Sequence, residues 1–308
     1  MTAPLWIDTD MGFDDMLAIM MVARAGRPVA GCSLVFGNTR FDQVRRNAAA
    51  MAAFLGWSFP ICPGAQRAML GETVTAEHVL GETGLPTRGR HLPSASVRDK
   101  ETSAFTALSR WLEDVDTPVD ILALGPLTNI AILALARPDL LATISRITWM
   151  GGGATRGNHT PSAEFNAFAD PEAAAVVLSS DVPFRMVDLD LCRQVTVSAD
   201  DLAPLGECSG ERAAMLYDLF GGYIDIGLSR GRPSMALYDP VAAAAVVDET
   251  AVTFKQAAIA VETCGRLTRG RTVVDDRITG GTTWIGTTAD AGRIRQSAID
   301  ALVEAAAP

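Results

Sequence analysis

The stretch Ile7-Asp8-Thr9-Asp10-Met11-Gly12-Phe13-Asp14-Asp15 crowds four carboxylates between an apolar run and an apolar helical pattern. Carboxylates this close repel and raise one another's pKa. A divalent cation would remove the conflict. Oxygen donors with no His or Cys nearby suit Ca²⁺ or Mg²⁺. The spacing is not that of an EF-hand, because the closing Glu is missing. Helix capping is the competing explanation, since Asp14 and Asp15 stand where a helix N-terminus favours negative charge. Capping accounts for one or two of the four. It leaves Asp8 and Asp10, at the end of a strand-like run, unexplained.

These carboxylates need a frame. Short β-like runs precede helical patterns: 5–8 before 15–25, 29–36 before 41–55, 119–124 before 127–136, and 147–150 before 171–179, with a further run at 184–189. Such alternation predicts an α/β fold with an open, mostly parallel sheet flanked by helices. The last third predicts helices at 211–226, 241–247 and 290–306 and a β-like run at 253–261. No repeat or low-complexity linker interrupts the chain, so residues 1–308 read as one domain. Open α/β sheets bind ligands beyond the carboxyl ends of their strands. There the sequence sets Asp10, Asp14 and Asp15, then Gly37-Asn38, Leu124-Gly125-Pro126, Met150-Gly151-Gly152-Gly153, and Asp188 with Asp190. These groups are predicted to converge on one crevice. Two segments read as long loops: 63–97, holding His78 and His91, and 151–169, holding Asn158, His159, Glu164 and Asn166. Loops of this length in a compact domain tend to be functional.

Composition narrows the partners. The chain carries 36 acidic against 26 basic residues, a net charge of -10, which argues against a nucleic-acid polymer. No apolar run reaches the roughly 18 residues a membrane span needs. The N-terminus lacks a signal-peptide pattern. Five scattered cysteines without a C-x-x-C predict reduced thiols and a cytoplasmic location.

Asp8-Thr9-Asp10-Met11-Gly12-Phe13-Asp14-Asp15, followed by Leu17-Ala18-Ile19, resembles the N-terminal signature of the inosine-uridine nucleoside hydrolase family. The likeness continues in order through Gly37-Asn38, Arg46-Asn47-Ala48 and Leu124-Gly125-Pro126-Leu127-Thr128-Asn129. It runs on through Met150-Gly151-Gly152-Gly153, Asn158, Ala163-Glu164-Phe165-Asn166, Asp170-Pro171-Glu172-Ala173, Tyr238-Asp239-Pro240 and Thr272-Val273-Val274-Asp275. The resemblance implies hydrolysis of the N-glycosidic bond of ribonucleosides to ribose and free base, with a bound Ca²⁺. It implies that Asp10, Asp15, the backbone carbonyl of Leu124 and Asp239 hold the ion. Asp10 would also take a proton from the attacking water. Asp14 and Asn38 would bind ribose hydroxyls, Asn158, Glu164 and Asn166 would grip the 5′ side, and Met150 and Phe165 would line the pocket. A homodimer or homotetramer is implied as well.

The chain departs from the family's pattern at two places. Tyr238 stands where the best-known members carry His before the metal Asp, and Leu80-Gly81 where many have His-Gly. The leaving base would then be helped by Tyr238, or by His78 or His91 from the loop. Two alternatives follow: the same chemistry on an uncommon or modified nucleoside, or a non-catalytic nucleoside- or ribose-binding homologue. A D-x-D after a first strand also opens the haloacid-dehalogenase-like phosphohydrolases, but that pattern wants Thr or Val where Gly12 stands. Cys192 reads as packing, with no paired base nearby in sequence.

Overall fold

The structure is a computed structural model that describes residues 3–97, 101–278 and 280–307. Its strands are β1 (Leu5–Thr9), β2 (Val29–Leu34), β3 (Ile61–Pro63), β4 (Val119–Ala123), β5 (Ile144–Met150) and β6 (Phe184–Val187). They continue with β7 (Thr196–Val197), β8 (Met235–Ala236), β9 (Val252–Gln256), β10 (Ala258–Val261), β11 (Thr272–Asp275) and β12 (Thr283–Ala289). Eight form one sheet in the order β3-β2-β1-β4-β5-β6-β12-β9. Every neighbouring pair is parallel except β12 with β9. The mostly parallel α/β sheet expected from the alternation is therefore present, closed at one edge by an antiparallel strand.

β1 lies inside the sheet, and all five of its residues are buried. A strand covered on both faces has no reason to alternate, which is why Leu5-Trp6-Ile7 reads as an unbroken apolar run. The strand order reverses direction between β1 and β4. That is the switch point at which open α/β sheets leave a crevice. Helix Phe13–Arg24 follows β1 and packs on helix Asp239–Val247 and on the closing helix Ala291–Ala306. The first two are buried almost all round, as core helices are.

Several elements differ from the sequence reading. Helix Ala104–Asp114, started by the Ser103 hydroxyl accepting from the Thr106 amide at 3.2 Å, lies where none was expected. β12 was also unexpected, because Gly286 and three threonines dilute its apolar pattern. The β-like run 253–261 is broken at Ala257 into β9 and β10, which join different sheets. The loop 63–97 contains one helical turn, Glu77–Leu80, and the loop 151–169 ends in helix Phe165–Ala169. Among the described residues no helix is long and apolar enough to cross a membrane.

Candidate active site

Between Thr9 and Phe13 the chain turns sharply through Asp10-Met11-Gly12. Met11 adopts φ +46°, a left-handed conformation that a side chain rarely takes without support. Full burial and a 3.0 Å bond from its amide to the Thr9 hydroxyl supply that support. The turn aims Asp15 back at its own start. The Gly12 amide donates to Asp15 Oδ2 at 2.8 Å, and the Thr9 hydroxyl donates to Asp15 Oδ1. Asp10 is held from the end of β2: the Asn38 amide donates to Oδ2 at 2.7 Å and Asn38 Nδ2 donates to Oδ1 at 2.9 Å. Asn38 Nδ2 also reaches Asp15 Oδ2 at 3.1 Å.

Asp239, first residue of its helix, enters from the far end of the chain. Asp14, Asp15 and Asp239 each present an oxygen within 4.8 Å of the others, so these three could share one cation. Burial pushes all the carboxyls here up. Asp14 rises to about 7, with the Asp15 charge adding to burial. Asp10 rises well above the usual range through burial and then Asp15, and Asp239 does so through burial and then Asp14. Asp15 is raised by burial despite its hydrogen bonds.

Above this cluster opens a cavity of about 580 Å³. It is lined by Asp10, Asp14, Asn38, Leu124, Met150, Asn158, Glu164, Phe165, Asn166, Tyr238 and Asp239, together with His78. Asp15 lies behind the wall, fully buried. Asn166 Nδ2 bridges the carbonyls of Leu124 and Met150 at 2.9 Å each, tying the ends of β4 and β5 together. Glu164 accepts from the amides of Gly152 (2.8 Å), Asn166 (2.8 Å) and Ala167 (3.0 Å), and burial lifts its carboxyl to about 7. Asn158 Oδ1 accepts from the Phe165 amide at 2.9 Å.

An acidic cluster under a cavity at the switch point, with amides on its walls, is the layout the resemblance implied. Residues 5–296 match the profile of the family described as inosine-uridine preferring nucleoside hydrolase. The chain belongs to that family. Among curated relatives, a pyrimidine-specific ribonucleoside hydrolase RihA of Shewanella woodyi is 35% identical over 89% of each chain. A non-specific ribonucleoside hydrolase RihC of Shigella flexneri is 36% identical over the same shares. Among solved structures, a purine-preferring ribonucleoside hydrolase from Gardnerella vaginalis superposes with TM-score 0.90 at 25% identity, covering 98% of this chain and 99% of that one. A plant nucleoside hydrolase gives 0.89 at 26% identity over the same shares.

In this nucleoside hydrolase the geometry refines several sequence expectations. Asp14, expected on ribose alone, stands with Asp15 and Asp239, whereas Asp10 is paired with Asn38. Asp188 and Asp190 do not line the cavity. They hold the loop after β5: Asp188 accepts from the Ala154 amide at 2.9 Å, and Asp190 from the Thr155 amide at 2.8 Å. Gly152, at φ +78°, packs where a Cβ would lie 2.7 Å from Met186 Sδ, so the triple glycine serves packing. Leu80 lines the cavity in place of the family histidine. His78 stands beside it on the same helical turn, whereas His91 is exposed and outside the lining. Cys192 is fully buried under the Tyr238 carbonyl, and burial raises its thiol pKa.

Sequence reasoning missed Tyr223 and gave His159 no role beyond its place in the loop 151–169. Tyr223, buried in helix Glu211–Leu228, lines the cavity beside Asp14 and donates to the Ala236 carbonyl at 2.7 Å. No sequence pattern separates it from the core residues around it. His159 packs on Phe168 with ring centroids 4.5 Å apart and meets His78 edge-on at 5.6 Å. Burial, and then the His78 charge, hold its pKa down.

Proposed function

We propose that this nucleoside hydrolase cleaves ribonucleosides to ribose and free base, with Asp10 as general base and Ca²⁺ as its resident ion. One observation carries the reading. Asp10, fixed at both oxygens by Asn38, faces the cavity beside the half-buried Asp14 and the buried Asp15 and Asp239. The donor set fits a hard cation: all oxygens, crowded, and raised in pKa first by burial and then by one another. Asp10, Asp15, Asp239 and the Leu124 carbonyl would hold it. That carbonyl already accepts one hydrogen bond from Asn166 and keeps a second lone pair. When bound, the ion would lower the pKa of water and polarise it.

The chain's own groups do the rest. Asp10 takes a proton from the attacking water, and burial and then the Asp15 charge raise its basicity. Asp14 and Asn38 bind the ribose hydroxyls, and Asn158, Glu164 and Asn166 hold the 5′ side. Met150 and Phe165 exclude water from the ring. N-glycosidic cleavage builds positive charge on the sugar, as in glycoside hydrolysis generally, and the carboxylates and amides around it stabilise that charge. Tyr238 donates a hydrogen bond to the departing base, with His78 next in reach from the rim.

The relatives named above span pyrimidine-specific, non-specific and purine-preferring enzymes. The base preference of this chain therefore belongs to its rim, where Tyr238 and Leu80 replace the family histidines. The test is reducing-sugar release over a panel of ribonucleosides, with wild type and Asp10→Ala. Wild type should turn over at least one of them, and Asp10→Ala should lose about 10²–10⁴-fold. Metal analysis should find about one Ca²⁺ per chain. No turnover by wild type on any nucleoside would overturn the reading.

A further inference from the structure

Helix Glu211–Leu228 carries Glu211, Asp218 and Asp225, each two turns from the next and so on one face. The late part of the loop 63–97 lies along that face. Arg88 forks onto Asp225, with Nε 2.7 Å from Oδ2 and Nη2 2.7 Å from Oδ1. The buried Asp218 accepts at Oδ1 from the amides of Arg88 (2.9 Å) and Arg90 (3.3 Å). Arg90 Nη1 reaches Glu211 Oε2 at 3.1 Å. Gly221 and Gly222 stand between the two aspartates. A Cβ on Gly222 would lie 2.3 Å from the Pro86 carbonyl oxygen, and one on Gly221 would lie 2.7 Å from the Arg88 guanidinium carbon. Two glycines inside a helix weaken it. What they permit here is close contact between helix and loop.

The same loop meets the cavity earlier in its course, where Ala76, His78, Val79 and Leu80 line it. There Glu77 accepts from the Thr39 hydroxyl at 2.8 Å and from the Arg40 amide at 3.0 Å, next to the Asn38 that holds Asp10. The helix in turn gives the cavity Tyr223 and Ile226, which flank Asp225 in sequence. The loop therefore runs from the end of β2, along the cavity wall, to the helix, and the Arg88–Asp225 fork fastens its far end. Resting on the hydrolase reading above, we propose that Arg88 is a positioning residue: by its fork to Asp225 it fixes the His78–Leu80 turn relative to Tyr223 and Ile226, and so holds the cavity rim ready for a nucleoside. The pair is part-exposed, at 32% and 43%, so it adds little to global stability. Its effect falls on binding. A rim already in place leaves less to order when a ligand enters. That gain is the same for the bound nucleoside and for its transition state, so it appears in KM and not in kcat.

The experiment compares steady-state kinetics on uridine, cytidine, inosine, adenosine and 4-nitrophenyl riboside, whose phenolate leaves without help, with Ca²⁺ present. The enzymes are full-length wild type, Arg88→Ala, Arg88→Lys, Asp225→Ala, the Arg88→Ala/Asp225→Ala double variant and Gly222→Ala. Arg88→Ala should raise KM by about five- to twentyfold on nucleosides and nitrophenyl riboside alike, with kcat held within about threefold. Its melting temperature should stay within about 3 °C of the wild type. Arg88→Lys should recover part of the KM, because the charge returns without the fork. The double variant should raise KM no further than either single one, as expected for one shared contact. Gly222→Ala keeps both charges but crowds Pro86, and should raise KM in the same sense. An unchanged KM in Arg88→Ala or Gly222→Ala, or additive losses in the double variant, would overturn the positioning role and leave the hydrolase reading intact. So would a loss of kcat confined to the nucleosides, which would mark a leaving-group role instead. No wild-type turnover on any riboside would overturn both.

Discussion

Asp10 owes its position to one neighbour: both of its oxygens accept from Asn38, and Asn38 Nδ2 also reaches Asp15 Oδ2. The carboxylates were legible in the sequence because their types and spacing have few other uses. Their partition was not legible, because hydrogen-bond partners set it and those come from other strands. Tyr238 makes the residue-scale prediction. A hydrogen bond from its hydroxyl to a base gaining negative charge is worth about 1.5–3 kcal/mol. Tyr238→Phe should therefore lower nucleoside turnover by about ten- to a hundredfold and barely affect the nitrophenyl riboside. Equal losses on both substrates would remove Tyr238 from the leaving group.

At the scale of elements, the strand ends and their turns build the site. Gly37, between β2 and Asn38, approaches Asp10 so closely that a Cβ there would lie 2.0 Å from Oδ2. In Gly37→Ala either Asp10 or the turn must move. Misplacement of a reacting group by about 1 Å costs on the order of a hundredfold. Gly37→Ala should therefore lose activity by that factor while circular dichroism stays that of the wild type. Retained activity would show that Asp10 tolerates displacement. The second element is helix Phe165–Ala169, whose N-terminal amides are capped by the buried Glu164. Burial lifts this carboxyl from its ordinary 4.5 to about 7, so the folded chain holds the proton more tightly than the unfolded one. Its stabilising contribution is complete below about 4.5 and is lost as the pH rises through about 7. Glu164→Gln removes that titration. Between about pH 5.5 and about pH 8, the melting temperature of the variant should fall less steeply than that of the wild type. Parallel profiles would contradict the assignment. The helix-strand alternation that frames both turns could be read from apolar runs. β12 and the antiparallel edge could not, because the Gly and Thr of that strand carry no strong period.

For the whole molecule, the consequence is a tie across the chain. Asp8 pairs with Ala123 between β1 and β4, so Asp10 and Leu124 leave adjoining strand ends at the switch point. Asp239 arrives on a helix packed against helix Phe13–Arg24. A cation held by these groups would bind the first strand, the middle of the sheet and the C-terminal helix together. Without it, buried like charges oppose folding. An ion that binds only the folded state adds about 2.7 kcal/mol at a hundred times its Kd, which for a chain of this size raises the melting temperature by about 5 °C. Chelator-treated protein should therefore melt lower and regain about that increment with Ca²⁺. Asp239→Asn removes one ligand and one buried charge at once. Its chelated form should melt no lower than the chelated wild type, and added Ca²⁺ should shift it little. An equal Ca²⁺ shift in wild type and variant would place the ion elsewhere. A variant that melts lower even when chelated would show that Asp239 serves the fold through its own contacts rather than as a ligand.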